Sequence, residues 1–341
     1  MTSGRSLGSL LVAIGLLGAH LLAPAAPAAC RWTRVESDHP AAFEQFQFVD
    51  AANGFAHDAE CLWHTADGGH HWRKASCTDR GAADWREHGA IDRIAFAGPR
   101  AGWLLTRGGA LRATRDGGAS WVERTFPGYV VRAFAFADER HGWWVGERVL
   151  DGVPDARGAV FSTEDGGLHW QERPLHVASK AARWRLTAVA PRDRREVWVA
   201  GDGLLLRSVD GGANWSDRSV AGLGGERGDS LRFFAGGIGV ILHSPARSFL
   251  LSPDAGQHWR ERPLPAGGAA LDALVFAGRD DAWAILAGNL YHSTDGATSW
   301  LAQPRLDATA AAPPYRGLQV VAPRQAIVLA TSGGFAFCSP R

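Results

Sequence analysis

Six times along this 341-residue chain the pattern Ser/Thr-x-Asp-x-Gly-x-x-Trp returns, and no other feature restricts the fold as tightly. It runs from Thr65 to Trp72, Thr114 to Trp121, Thr163 to Trp170, Ser208 to Trp215, Ser252 to Trp259 and Ser293 to Trp300, the last with Ala297 where glycine is expected. The aspartates Asp67, Asp116, Asp165, Asp210, Asp254 and Asp295 stand 49, 49, 45, 44 and 41 residues apart. A period of that length suits one four-stranded sheet that cannot bury its own faces and must stack on its neighbours. The residue types give the reason for the turn. Glycine accepts the positive φ of a tight hairpin, while the Asp carboxylate and Ser/Thr hydroxyl bond nearby amides and fix its shape. The tryptophan carries a large ring into the space between neighbouring sheets. Each of these Asp boxes is therefore read as a structural staple, strong for fold and silent on chemistry.

Upstream of the boxes a second pattern recurs, an alternating apolar strand, a turn, and a strand that often carries tryptophan. It reads Ile94-Ala95-Phe96 then Gly102-Trp103 in one unit, and Phe134-Ala135-Phe136 then Gly142-Trp143 in the next; Val189 with Trp198 and Phe276 with Trp283 continue it. After Trp300 one more unit begins at Leu318 and stops at Ser339, where a box is due. The segment Cys30 to Arg34 looks like the strand that follows a box. These observations predict an all-β, seven-bladed β-propeller of Asp-box (BNR-like) repeats, its ring closed by the N-terminal strand completing the last blade so that no sheet edge is left open. The 42 glycines agree, since many tight turns mean many short strands.

Residues 1–28 read as a secretory signal peptide: Arg5, an apolar stretch from Leu7 to Leu22, and small residues at Ala26-Pro27-Ala28. The propeller then spans 29–341, a periplasmic or secreted protein, not integral to the membrane once the signal is cleaved. In an oxidising compartment the four cysteines are expected to pair, Cys61 with Cys77 across the third and fourth strands around the first box, and Cys30 with Cys338 where the seventh box is missing. Lys plus Arg is 36 against 35 for Asp plus Glu, so no global field favours nucleic acid.

Nucleophile-elbow, zincin, phosphate-loop and zinc-ligand spacings are all missing from the sequence, and no cofactor or metal is expected. A partner would meet the face opposite the box turns, where the long segments 73–90, 147–158, 171–185, 216–230 and 302–316 gather. Aligning the innermost strands on Phe48, Phe96, Phe136, Val189 and Phe276 puts Glu44, Asp92, Arg132, Arg185 and Asp272 near the channel mouth. Either these charges pair among themselves or they hold a ligand. Trp85 and Trp184 stand outside the repeat beside Arg86 and Arg183, as binding residues or as loop packing.

The stretches Gly102 to Trp121, Gly142 to Trp170 and Val197 to Trp215 resemble the photosystem II stability/assembly factor family, whose blades carry Gly-Trp on the second strand and a Thr-x-Asp-Gly-Gly-x-x-Trp box. The resemblance covers nearly the whole chain after the leader. It implies a monomeric, non-catalytic module that binds an unknown protein partner in the cell envelope. The competing reading is a glycan-acting hydrolase or lyase using Glu44, Asp92 and Asp272 as acid and base. Sialidase-type propellers share the box, but the chain has no Arg-Ile-Pro motif and only the tyrosines Tyr129, Tyr291 and Tyr315.

Overall fold

The computed structural model describes residues 31–35, 37–38, 43–58, 60–77, 89–150, 153–175, 185–220, 223, 230–242, 248–265, 271–303, 315–322, 325–330 and 335–339. The signal segment, Cys30, Trp85 and Trp184 lie outside them. The described strands form seven four-stranded antiparallel sheets. Blade 1 holds Gln45–Phe48, Gly54–His57, Cys61–Thr65 and Arg73–Cys77, from channel to rim. Blades 2, 3 and 4 begin at the inner strands Ile91–Phe96, Tyr129–Phe136 and Ala188–Pro191. Blades 5, 6 and 7 begin at Ser230–Phe234, Leu271–Phe276 and Tyr315–Ala322. The outermost strand of blade 7 is Arg31–Val35, paired antiparallel with Phe335–Ser339 so that Trp32 faces Cys338.

Every box makes the same bonds. The Ser/Thr hydroxyl donates to Asp Oδ1 at 2.7–2.9 Å and accepts the amide four residues on at 2.7–2.9 Å. The second carboxylate oxygen takes a donor from the residue just before the tryptophan, His71, Ser120, His169, Asn214, His258 or Ser299, at 2.6–2.7 Å. That position looked free in the sequence, yet it always carries a side-chain donor. Two boxes depart from the glycine rule: Ala255 and Ala297 hold φ of 64° and 61°, the left-handed region.

The core lies between blades. The second-strand tryptophans Trp103, Trp143, Trp198 and Trp283 are buried, whereas among the box tryptophans only Trp72 is; the other five are half-buried, less than the box alone suggests. Trp103 stacks at 3.5 Å on Phe136 of the next blade and donates to the Gly166 carbonyl of that blade's box at 2.8 Å. Phe55 stacks on Phe96 in the same manner. Gly142 has its motif role by packing: a Cβ there would meet the Phe136 ring at 2.3 Å, because the two residues face each other across the inner strand pair.

Cys61 and Cys77 are bridged. Cys338 is also disulfide-bonded, and the Cys30 expected opposite it falls outside the described residues. One expected loop proves to be ordered strand. In the 147–158 segment, blade 3 extends as a hairpin, Gly142–Leu150 against Val153–Thr163, with Leu150 opposite Val153.

Candidate functional site: the channel mouth

The inner strands can be aligned by register, since Phe48, Phe96 and Phe136 face Gly54, Gly102 and Gly142, just as Pro191 faces Val197 and Phe276 faces Ala282. The residue four before each then stands at the mouth: Glu44, Asp92, Arg132, Thr187 and Asp272. This corrects one expectation. Arg185 does not share the position, because blade 4 aligns on Pro191 rather than Val189, and Arg185 precedes the strand by three residues. Asp92, Arg132 and Asp272 each sit on a bulge, which frees the side chain from the ladder and re-aims it.

Most of these charges are engaged. Glu44 meets Arg107 at 3.3 Å. Arg132 Nε donates to Glu147 at 2.9 Å, and that carboxylate is fully buried with its second oxygen unpartnered among the described residues. Arg185 donates its backbone N–H to Asp202 at 2.7 Å and approaches it again through Nε. Asp272 accepts the Gly288 amide at 3.0 Å. His57, beside Glu44, is buried; burial holds its pKa below the usual histidine value, against the pull of the Asp58 carbonyl that Nδ1 bonds at 2.9 Å.

The residues that sequence reasoning missed are Arg93 and Arg232. Both are exposed to the channel, and neither bonds a carboxylate among the described residues. Phe233 faces Gly239 as Phe48 faces Gly54, so Arg232 holds the repeat place of Gln47, Ala95, Ala135, Ala190, Val275 and Gln319, and one cation stands where the other blades carry an amide or a small apolar side chain. The ring encloses it on all sides while leaving it open to the channel. That enclosure, followed by the like charge of Arg93, lowers its pKa from the ordinary arginine value. Both line a cavity of about 720 Å³ with Glu44, Asp92 and the inner strands of blades 3 and 4. Such a volume lies within the usual range of roughly 300–1,000 Å³ for ligand sites. Among the described residues no group of three His, Cys, Asp or Glu could hold a metal ion. No helix among them is long and apolar enough to cross a membrane.

Comparison with known proteins follows from this geometry. A family model described as "Photosynthesis system II assembly factor YCF48" matches residues 129–225, blades 3 and 4. The "Photosystem II assembly lipoprotein Ycf48" of Synechococcus sp. (strain CC9902) is 28% identical over 181 residues, 50% of this chain and 49% of that protein, so the chain spans about half the length of this curated relative. Among solved structures, "YCF48 bound to D1 peptide" aligns with TM-score 0.63 at 17% identity over 91% of this chain and 97% of that one. A virginiamycin B lyase from Staphylococcus aureus aligns with TM-score 0.65 at 9% identity over 91% and 99%, a likeness of fold alone. The resemblance read from the boxes thus stands: this is a seven-bladed, BNR-repeat propeller similar to the photosystem II assembly factors.

Proposed function

We propose that the chain is an exported, non-catalytic module that binds a protein segment at its channel and serves in the assembly or maturation of an envelope client. One observation carries this reading: Glu44 and Asp272 are engaged, while Arg93 and Arg232 bond no carboxylate among the described residues. Of the three acids an enzyme would use, Glu44 is paired with Arg107 and Asp272 with a backbone amide. Asp92 alone is left, and hydrolysis at a glycosidic bond takes two carboxyl groups facing each other. Arg93 and Arg232, by contrast, line the channel and bond no carboxylate among the described residues. A partner carboxylate would supply a counter-ion and gain a charge-assisted bond.

The similar YCF48 structure holds a D1 peptide, and the curated relative is named an assembly lipoprotein; both favour a peptide-binding, exported role here. The 1–28 segment reads as the signal such a role needs. Trp85 and Trp184, outside the described residues, are retained as candidate contacts, and the working state is a monomer. The test is capture of clients from the native envelope by the mature protein, set beside turnover assays on a fluorogenic sialoside and on xyloglucan. A discrete client held by the wild type and lost by Arg93→Gln plus Arg232→Gln is expected, with no turnover. Substrate cleavage abolished by Asp92→Asn would reverse the assignment.

A further inference from the structure

The channel is not equally open around its ring, and the difference lies in the backbone. In an antiparallel pair, residues alternate between those bonded to the partner strand and those whose N–H and C=O point away from it. Ala97 donates to Ala101 and Ala137 to His141, so Phe96 with Ile94, and Phe136 with Phe134, turn their main-chain groups toward the channel. In blades 1 and 2 the groups of Phe48 and Phe96 are capped. Gln319 of blade 7 donates to the Phe48 carbonyl at 2.6 Å and accepts its amide at 2.7 Å. Gln47 of blade 1 does the same for Phe96, 2.8 Å each way, and Gln45 accepts the Ile94 amide at 2.9 Å. A glutamine amide reading N–H and C=O of one residue is what a neighbouring strand would do.

Before blade 3 the corresponding residues of blade 2 are Ala95, in place of Gln47, and Arg93, in place of Gln45. Alanine cannot reach, so among the described residues Phe134 and Phe136 keep two amides and two carbonyls unclaimed, and both residues line the cavity. Blade 4 offers less, since Pro191 has no N–H. Unpaired strand edges are templates for another chain. The charges select its chemistry: Glu44 is held by Arg107, which leaves Arg93 and Arg232 in this cavity facing Asp92, the one carboxylate lining it without a hydrogen-bond or ion-pair partner among the described residues.

We infer that the inner edge of blade 3, Phe134 to Phe136, docks an extended acidic peptide, which adds a strand inside the channel and sets a carboxylate against Arg93 and Arg232. This rests on the binding-module reading and specifies its mode. The decisive substitution is Ala95→Gln, which gives blade 3 the cap that Gln47 gives blade 2 and so closes the edge without removing any contact.

A soluble library of octapeptides with two fixed glutamates and six random positions, panned against the intact protein beside a lysine-fixed library, supplies the probe. The glutamate library is expected to be enriched. The consensus peptide is then expected to bind at least ten-fold more weakly to Ala95→Gln and to Arg232→Gln, with the thermal midpoint of Ala95→Gln unchanged or raised. On the wild-type protein, N-methylation of alternate peptide nitrogens is expected to weaken binding at least ten-fold. Enrichment followed by binding within two-fold of wild type for both Ala95→Gln and the N-methylated peptide would overturn the edge and leave the module standing. No preference for glutamate over lysine would overturn the proposal outright. Cleavage of the sialoside or xyloglucan would instead remove the module reading on which it rests.

Discussion

The box rim and the channel ring are built from the same repeats and obey opposite rules. At the rim all six boxes make one set of bonds, with distances that agree to within about 0.2 Å. Around the channel each blade departs from the last. Position by position, Gln47, Ala95, Ala135, Ala190, Arg232, Val275 and Gln319 share one place in the repeat. Where the same bond must be made six times, the sequence repeats; where one ligand must be held once, it varies. The rim accordingly answers for stability and the channel for recognition.

That division can be broken most visibly in blade 1, where the Cys61–Cys77 bridge ties the two outer strands covalently. Replacing Cys61 and Cys77 by alanine removes a bridge between residues 16 apart, and in the chain-entropy model this costs about 3 kcal/mol. Denaturant unfolding is expected to report that loss while peptide affinity stays unchanged. Asp165→Ala comes next. It strips acceptors from the Leu168 and His169 amides and from Thr163, at about 1–2 kcal/mol, again with no effect on binding.

The same carboxylates set the acid limit. In Asp116, bonds from the Ser120 side chain and amide, then Thr114, pull the pKa down to about 2. In Asp165, Asp254 and Asp295, partial burial opposes the bonds from the residue before tryptophan, yet the bonds prevail and the value again falls to about 2. The folded pKa lies below the unfolded value of 3.8, so this stability is complete above about pH 4 and is lost as pH falls toward 2. Chemical denaturation between pH 5 and 2 is expected to trace the loss, and Asp165→Ala to flatten it.

On the channel side, Gln319→Ala abandons the Phe48 amide and carbonyl at the seam between blades 7 and 1. We expect a loss of about 1 kcal/mol, since the freed groups meet channel water. The smallest effect returns to the rim. Ala255→Gly relieves a left-handed alanine, gaining about 0.5–1 kcal/mol once the extra freedom of unfolded glycine is deducted. Ala297→Gly gains less, because its fully buried methyl packs into the core.

The boxes made the ring legible because their period and turn chemistry leave few alternatives. The strand Arg31–Val35 was legible for the same reason, its Trp32-Thr-Arg resembling the strand after a box. The channel was much less so. Register across blades depends on where each inner strand meets its partner, and Pro191 in blade 4, with no phenylalanine to mark it, shifted Arg185 into a place that Thr187 holds. Arg232 escaped because blade 5 turns through the short helix Ala235–Gly237 and lacks the Gly-Trp marker. Its signal was present all the same, one arginine at a place that is glutamine, alanine or valine in the other six blades. The glutamine caps needed three dimensions, since a side chain on one blade serves the backbone of the next.

Amide hydrogen exchange at Phe96 and Phe136 in the free protein tests the central contrast most directly. The two residues occupy one place in consecutive blades and differ in the Gln47 amide that covers the first. We expect slow exchange at Phe96, fast exchange at Phe136, and slowing at Phe136 in Ala95→Gln. Equal protection at the two sites in the wild-type protein would mean that blade 3 has no open edge.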